Sequence, residues 1–266
     1  MQVLAIHPEV VVARSVKWQT TCTVVHRGDE SFVIDSPLYA EELESLPTLL
    51  GQMGWGLSGL LATHGDYDHV LGRLAFPEAS LGVSETTAAR LKAEMGDAAR
   101  RLRDFDTDDY VQRPRPLRLG DVQALPVPGR LDIGDSALEL LPADGHTHDG
   151  MAIWVPWAKV LIPGDYLSPV ELPWLQEQGS RAAYLATLGR LRPYVEQADW
   201  VVSGHGGPID GARALAVMRE DVAYLQALGE GEAAAAAALP IARRDRRMRE
   251  IHAENVRRLA GGSGGS

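Results

Sequence analysis

Six consecutive positions, His64-Gly65-Asp66-Tyr67-Asp68-His69, carry two imidazoles and two carboxylates, and they follow directly on the apolar run at 57–63. All four side chains are of types that bind Zn²⁺ or a harder divalent ion. A loop leaving a buried strand is held rigidly at one end, so it can aim alternate side chains at one cation and the remainder at another. His64 and Asp66 then face one way, and Asp68 and His69 the other, as the backbone turns into the next helix. A solvated polar loop accounts for any one of these residues but poorly for four together.

Three later positions share that context: His146 within Ala143-Asp144-Gly145-His146-Thr147-His148, Asp165 after Pro163-Gly164, and His205 within Ser203-Gly204-His205-Gly206-Gly207. Each follows a strand-like run and has glycine beside it, which lets backbone approach a crowded centre. Taken singly, each reads equally well as a hydrogen-bonded loop residue.

The pattern around these loops is mixed. Runs at 10–16, 21–27 and 31–35, with a Gly28-Asp29 turn, predict a strand meander. Leucines at helical spacing predict a helix over 38–53, with Pro47 marking a point where it can split, and 57–63 reads as a strand. Strand, helix, strand in that order is the signature of an α/β layer. A helix is predicted over 84–104 with Ser84 as N-cap and Glu85 in its first turn, then a surface loop rich in Asp, Arg and Pro over 105–121.

The second half has the same style, with strands at 137–143, 151–157 and 159–165, a helix at 180–192, and the strand-like 199–206. The halves are analogous without a close repeat. Residues 209–260 are helix-prone, including an alanine run at 233–238 and a break at Pro240. We expect one domain over 1–260 with a helical C-terminal segment; the Gly/Ser run at 261–266 has the composition of a linker or tag remnant.

With 26 Lys and Arg against 36 Asp and Glu, the net charge of -10 disfavours nucleic acid as a partner. The lone Cys22 excludes an intramolecular disulfide, fits a reducing compartment, and in its valine-rich setting reads as a small buried apolar residue. No segment approaches the roughly 20 apolar residues that span a bilayer, and the first residues lack a signal peptide's pattern. The expectation is a cytoplasmic protein acting on a small molecule, without membrane partners and with its oligomeric state open, a homodimer included.

In their order along the chain these motifs resemble the metallo-β-lactamase superfamily, whose members carry a His-x-His-x-Asp-His loop, a later His, a bridging Asp and a final His. The resemblance runs from the early strands and Asp35 to Gly206. It implies an α/β fold (α+β by some schemes), a four-layer αββα sandwich of two mixed sheets with helices on the outer faces. It further implies a dinuclear site, with His64, Asp66 and His146 on one divalent ion, Asp68, His69 and His205 on the other, and Asp165 between them. The implied activity is that of a hydrolase using a metal-bound hydroxide, oriented by Asp68, on an ester, thioester, lactone or phosphoester.

One position departs from the family pattern: Asp66 stands where His is usual. Two divalent ions, three carboxylates and a hydroxide balance to neutrality, whereas His at this position leaves one positive charge, so the first ion becomes a weaker Lewis acid. An added oxygen donor also moves preference from Zn²⁺ toward Mn²⁺ or Fe²⁺. A flavodiiron-like branch carries a carboxylate here, so a diiron oxidoreductase is the alternative, and a non-catalytic metal-binding member of the fold is the third reading.

Around the centre, His148 reads either as a proton shuttle or as a surface histidine. Tyr166 is a candidate hydrogen-bond donor to substrate, as a tyrosine is in some lactonases of the superfamily, and Trp174 reads as packing. Arg113, Arg115 and Arg118 read first as a solvated charged loop and second as an anion anchor. His7, His26 and His252 lie outside the motif loops and read as structural or exposed.

Overall fold

The computed structural model describes residues 1–262. Seven strands form one mixed sheet in sequence order: β1 (Gln2–His7), β2 (Val10–Arg14), β3 (Thr21–Arg27), β4 (Glu30–Asp35), β5 (Gly59–Leu61), β6 (Leu81–Ser84) and β7 (Gln123–Leu125). The pairs β1 to β4 are antiparallel, and β4 to β7 run parallel. A second mixed sheet holds β8 (Gly129–Ile133), β9 (Ser136–Pro142), β10 (Met151–Val155), β11 (Val160–Ile162), β12 (Trp200–Val201) and β13 (Ile209–Asp210), in reverse order across the sheet. Its β11/β12 pair is parallel.

Side-chain alternation sorts these strands into layers. Val10, Val12, Val25, Ile34 and Leu61 of the first sheet share one buried cluster with Leu138, Leu140, Ile153, Val155, Val160 and Ile162 of the second, so the two sheets pack face to face. Their alternate neighbours point outward. Cys22, Val24, Val33 and Leu60 meet leucines of α1 (Ala40–Met53). Ala152, Trp154 and Leu161 meet α5 (Arg181–Val195) and α6 (Gly211–Glu230). The result is the four-layer αββα sandwich, each buried Val, Leu or Ile contributing about 1.5–3 kcal/mol.

Several elements differ from the sequence reading. Pro47 lies inside an unbroken α1, because Leu43, Leu46 and Leu50 on either side of it are buried against the sheet and offset the lost hydrogen bond. After the short α2 (Gly72–Ala75), the single helix expected over 84–104 is two, α3 (Glu85–Ala93) and α4 (Asp97–Asp108). Gly96 between them has φ 84°, a left-handed conformation that glycine adopts without strain. Ser84 does cap α3, its hydroxyl accepting from Thr87 N at 3.1 Å.

The expected loop at 105–121 therefore begins only after Asp108. Strands β1, β7 and β8 carried no sequence expectation, being exposed or short and flanked by proline and glycine. The alanine run forms α7 (Glu232–Ala237), and α8 (Arg246–Gly262) continues into the first glycines of the expected linker. Residues 263–266 of that linker lie outside the described residues. No helix among the described residues is long and apolar enough to cross a membrane.

Candidate metal centre

Strands β4, β5 and β6 run parallel, as do β9, β11 and β12 in the other sheet. Their C-terminal ends open onto one edge of the sandwich. Asp35 ends β4, the 64–69 loop follows β5, His146 follows β9, Asp165 follows β11, and His205 follows β12. The edge is sewn shut between sheets by Thr21 N donating to Gly204 O at 2.8 Å.

All seven motif side chains converge there, six of them in buried residues and the Asp165 side chain only 9 % exposed. Asp165 lies at the hub: its carboxylate is 3.8 Å from His64 Nε2, 3.3 Å from His69 Nε2, 3.3 Å from His146 Nε2 and 3.4 Å from His205 Nε2. On one side Asp66 Oδ2 is 3.5 Å from His64 Nε2 and 3.6 Å from His146 Nε2. On the other Asp68 Oδ2 is 3.9 Å from His69 Nε2 and 3.6 Å from His205 Nε2. Each triplet is compact enough to hold one ion, its donor atoms all within 4.8 Å of one another.

Each imidazole is oriented from behind. His146 Nδ1 donates to Trp174 O at 2.7 Å and His205 Nδ1 to Trp18 O at 3.2 Å. His64 Nδ1 is 3.1 Å from the Thr63 hydroxyl, which donates to Asp35 at 2.9 Å. His69 Nδ1 lies 3.1 Å from Asp35 Oδ2. Fixing Nδ1 this way leaves Nε2 with its lone pair toward the hub, the arrangement of metal-binding histidines.

The donor set fits divalent cations. His64 Nε2, His69 Nε2 and Asp165 Oδ1 are buried with no hydrogen-bond partner, a costly state unless something else satisfies them. Space is also reserved: a Cβ at Gly204 would lie 2.1 Å from Asp165 Oδ1, so only glycine is compatible with the hub.

Electrostatics point the same way. Burial opposes the charged form of His205, yet Glu171 and Asp165 overcome it and push its pKa up to about 9. Burial likewise opposes a charged His69, and Asp165, Asp35 and Asp68 hold its pKa well above the ordinary range. Burial would raise the Asp165 carboxyl, but His205, His69 and His64 hold it well below its ordinary range. A cluster that recruits protons this strongly is one that attracts cations.

Four residues in this neighbourhood carried no sequence expectation. Arg90, from α3, is a buried guanidinium: Nη2 donates to Asp66 Oδ1 at 2.8 Å and Nη1 to Asp149 Oδ1 at 2.8 Å. Asp149 also accepts from Gly65 N at 3.0 Å and from the Thr87 hydroxyl at 2.8 Å. Gln176 donates to Asp66 Oδ2, and its own backbone N donates to His146 O at 2.9 Å. Glu171 is buried 3.7 Å from His205 Nδ1 and paired with Arg247. Of these only Asp149, adjacent to a glycine just beyond His146, lay within reach of motif reading. The charge balance drawn from Asp66 alone is therefore incomplete, because a guanidinium sits on that carboxylate.

The expected accessory residues divide. His148 is exposed and makes no hydrogen bond or ion pair with the cluster, which matches the surface reading. The Tyr166 hydroxyl, expected toward substrate, is buried and committed: it accepts from His146 N at 3.0 Å and lies 3.3 Å from Ala143 O, so it holds the His146 loop. Trp174 packs against the outer core and lends its carbonyl to His146. Arg113 is tied to Asp106 and Leu38 O, while Arg115 and Arg118 are exposed. His26 stacks on Trp55, His7 accepts from Glu9 N, and His252 meets Tyr224. Cys22 is buried and free, burial pushing its thiol pKa up.

Comparison with known proteins agrees with this geometry. A family model described as the metallo-β-lactamase superfamily matches residues 16–205. A hydroxyacylglutathione hydrolase of Rhodobacter capsulatus is 31% identical over 188 residues, covering 71% of this chain and 60% of the relative. The chain thus spans about 60% of the length of that curated relative.

Among solved structures, the inverting sec-alkylsulfatase Pisa1 from Pseudomonas sp. superposes with a TM-score of 0.68 at 16% identity, over 86% of this chain and 42% of its own. A metallo-β-lactamase from Pontibacter korlensis gives 0.59 at 18% identity, over 82% and 98%. At these identities the structural likeness speaks to the fold.

Proposed function

The chain belongs to the metallo-β-lactamase superfamily, and from that premise we propose that it is a metal-dependent hydrolase of an ester, thioester, lactone or phosphoester. The observation that carries the reading is the convergence of four imidazole Nε2 atoms on the single carboxylate of Asp165, with three of the donor atoms buried and unpartnered. His64, Asp66 and His146 would hold one divalent ion, Asp68, His69 and His205 the other, and Asp165 both. Ions bound there supply Lewis acidity, polarising a scissile group and acidifying water.

The chain's own residues do the positioning. Asp35 orients His69 directly and His64 through Thr63; the carbonyls of Trp174 and Trp18 orient His146 and His205. Asp68, at the mouth between His69 and His205, is the carboxylate placed to accept a proton from an incoming water. Neither a serine nor a cysteine nucleophile is required, and Cys22 is sealed in the outer core.

The hydroxyacylglutathione hydrolase relative makes a thioester the first substrate class to assay. A second reading, oxygen chemistry at two irons, draws on the oxygen donor Asp66 and is separated by iron content and oxygen consumption.

The test is elemental analysis of purified protein, followed by a substrate panel in Zn²⁺, Mn²⁺ and Fe²⁺. We expect about two ions per chain, and in Asp165→Ala loss of retained metal with activity lower by about a thousandfold, since the Lewis acid contribution is several kcal/mol. A preparation that stays metal-free in excess divalent ions ends this reading.

A further inference from the structure

Arg90 belongs to no motif and touches no candidate ligand other than Asp66, yet it is a cation placed directly against a cation-binding cluster. Resting on the metal-dependent reading above, we propose that Arg90 is a positioning residue that leaves Asp66 only one oxygen to face the cluster and weakens the His64/Asp66/His146 pocket for divalent ions, so that the Asp68/His69/His205 pocket fills first.

The two carboxylates at corresponding places in the cluster are treated differently. Asp66 Oδ1 is taken by Arg90 Nη2, and Asp66 Oδ2, the oxygen facing His64 and His146, receives the amide of Gln176. An ion entering this pocket must displace or share that amide, and it must sit close to a guanidinium whose charge burial leaves poorly screened. Asp149 pairs with Arg90 through Nη1, with Gly65 N and the Thr87 hydroxyl fixing it there, and Glu94 accepts from Arg90 Nε at 3.1 Å.

The Asp68 side chain makes no hydrogen bond with a cation or an amide, and lies nearest His69 and His205. Behind those imidazoles stand anions: Asp35 at His69 Nδ1 and Glu171 near His205 Nδ1. Carboxylates in that position raise imidazole basicity and strengthen metal binding. The cation nearest this side, Arg247, is paired with Glu171, not with a donor of the cluster.

Arg90 is also costly to keep unless it has a use. A buried guanidinium shared by three carboxylates, here Asp66, Asp149 and Glu94, is seldom worth more to stability than apolar packing of equal volume. Its effect on Asp66 is what a packed leucine could not supply.

The test is equilibrium dialysis of the metal-stripped full chain against graded Mn²⁺ or Co²⁺, with bound metal counted by elemental analysis. Two uptake steps are expected, separated by at least about tenfold in affinity on electrostatic grounds. His205→Ala should remove the tighter step and His146→Ala the weaker one. The paired variant Arg90→Gln with Asp149→Asn removes both charges together, and should tighten the weaker step by about tenfold while leaving the tighter one in place.

Arg90→Lys, which keeps the charge, should retain the separation. A merely structural role predicts the opposite sign, with the weaker step loosened in both variants. Uptake of two ions with one affinity by the unaltered chain overturns the proposal and leaves the hydrolase reading intact. Failure to take up metal at all overturns both.

Discussion

The two halves of the candidate centre are built from the same parts and braced in opposite ways. In the His64/Asp66/His146 half, the carboxylate is clamped by a guanidinium and an amide, and the imidazoles lean on a hydroxyl and a carbonyl. In the Asp68/His69/His205 half, the carboxylate side chain is free of such clamps, His69 has Asp35 directly behind it, and His205, whose Nδ1 donates to the Trp18 carbonyl, has Glu171 3.7 Å away. The first half is thus held by one protein cation and an amide, and the second is primed by protein anions. Two pockets with matched donor counts need not share an affinity, because the groups one bond behind the donors set how much charge each presents.

The largest effect expected from this contrast is on the metal-free fold. Asp66→Asn removes one of the two buried carboxylates paired with Arg90, whose third partner, Glu94, is partly exposed, and breaking a buried pair from one side costs about 3 kcal/mol. Asp68→Asn breaks no pair with Arg or Lys, only the longer contacts with His69 and His205, and should cost less than Asp66→Asn. Urea melts of the metal-stripped variants check this. Equal losses would show that the clamp on Asp66 contributes nothing. For the same reason Asp66→His, which by residue type alone only exchanges one metal ligand for another, is expected to be destabilised unless Arg90 is changed with it.

That correction marks where sequence reading stopped. The seven candidate ligands were legible because each sits where an apolar run ends, and because four of them crowd into six positions; density of residue types is a local signal. Asp35 was visible for the same reason, as the end of the run 31–35.

Arg90 was not. It lies in Glu85–Ala93, among Glu, Thr, Ala and Lys, a composition indistinguishable from a solvated helix face, and its tie to Asp66 spans 24 positions. Gln176 reaches Asp66 across 110 positions. Such partners exist only once the two sheets have closed.

The fold shows the same division. Strands buried continuously on both faces, such as β3 and β10, were readable, whereas the exposed β1 and the short β7 bury no such run. The turn at Gly96 was masked because helix-favouring residues flank it on both sides.

A smaller effect comes from pH, and it is shared by both halves, since His146 as well as His69 and His205 has its pKa raised. His205 has its pKa raised from 6.5 to about 9 in the folded, metal-free chain. A histidine raised in the folded state contributes stability that is complete below about pH 6.5, the unfolded value, and that disappears as pH rises through 9. The metal-free protein should therefore lose stability between these values, by at most about 1.4 kcal/mol per pH unit for this one proton. Loaded protein should show the reverse trend over the same window, since ligation requires deprotonated imidazole. Thermal melts at stepped pH, with and without metal, check both signs. His205→Asn should flatten the metal-free curve.

The smallest effect tests whether the clamp has its own foundation. Arg90 and Thr87 both ride on α3, whose first turn is fixed by the Ser84 hydroxyl accepting from Thr87 N at 3.1 Å. Ser84→Ala removes this cap and should cost about 1 kcal/mol. Because Thr87 in turn donates to Asp149, a loosened first turn slackens the anchor of Arg90 and no residue behind His69 or His205. Metal uptake should then change only at the weaker step, by less than in the Arg90 variants. A shift at the tighter step instead would mean that α3 braces the whole edge of the sandwich, and that the two pockets are less independent than their separate supports suggest.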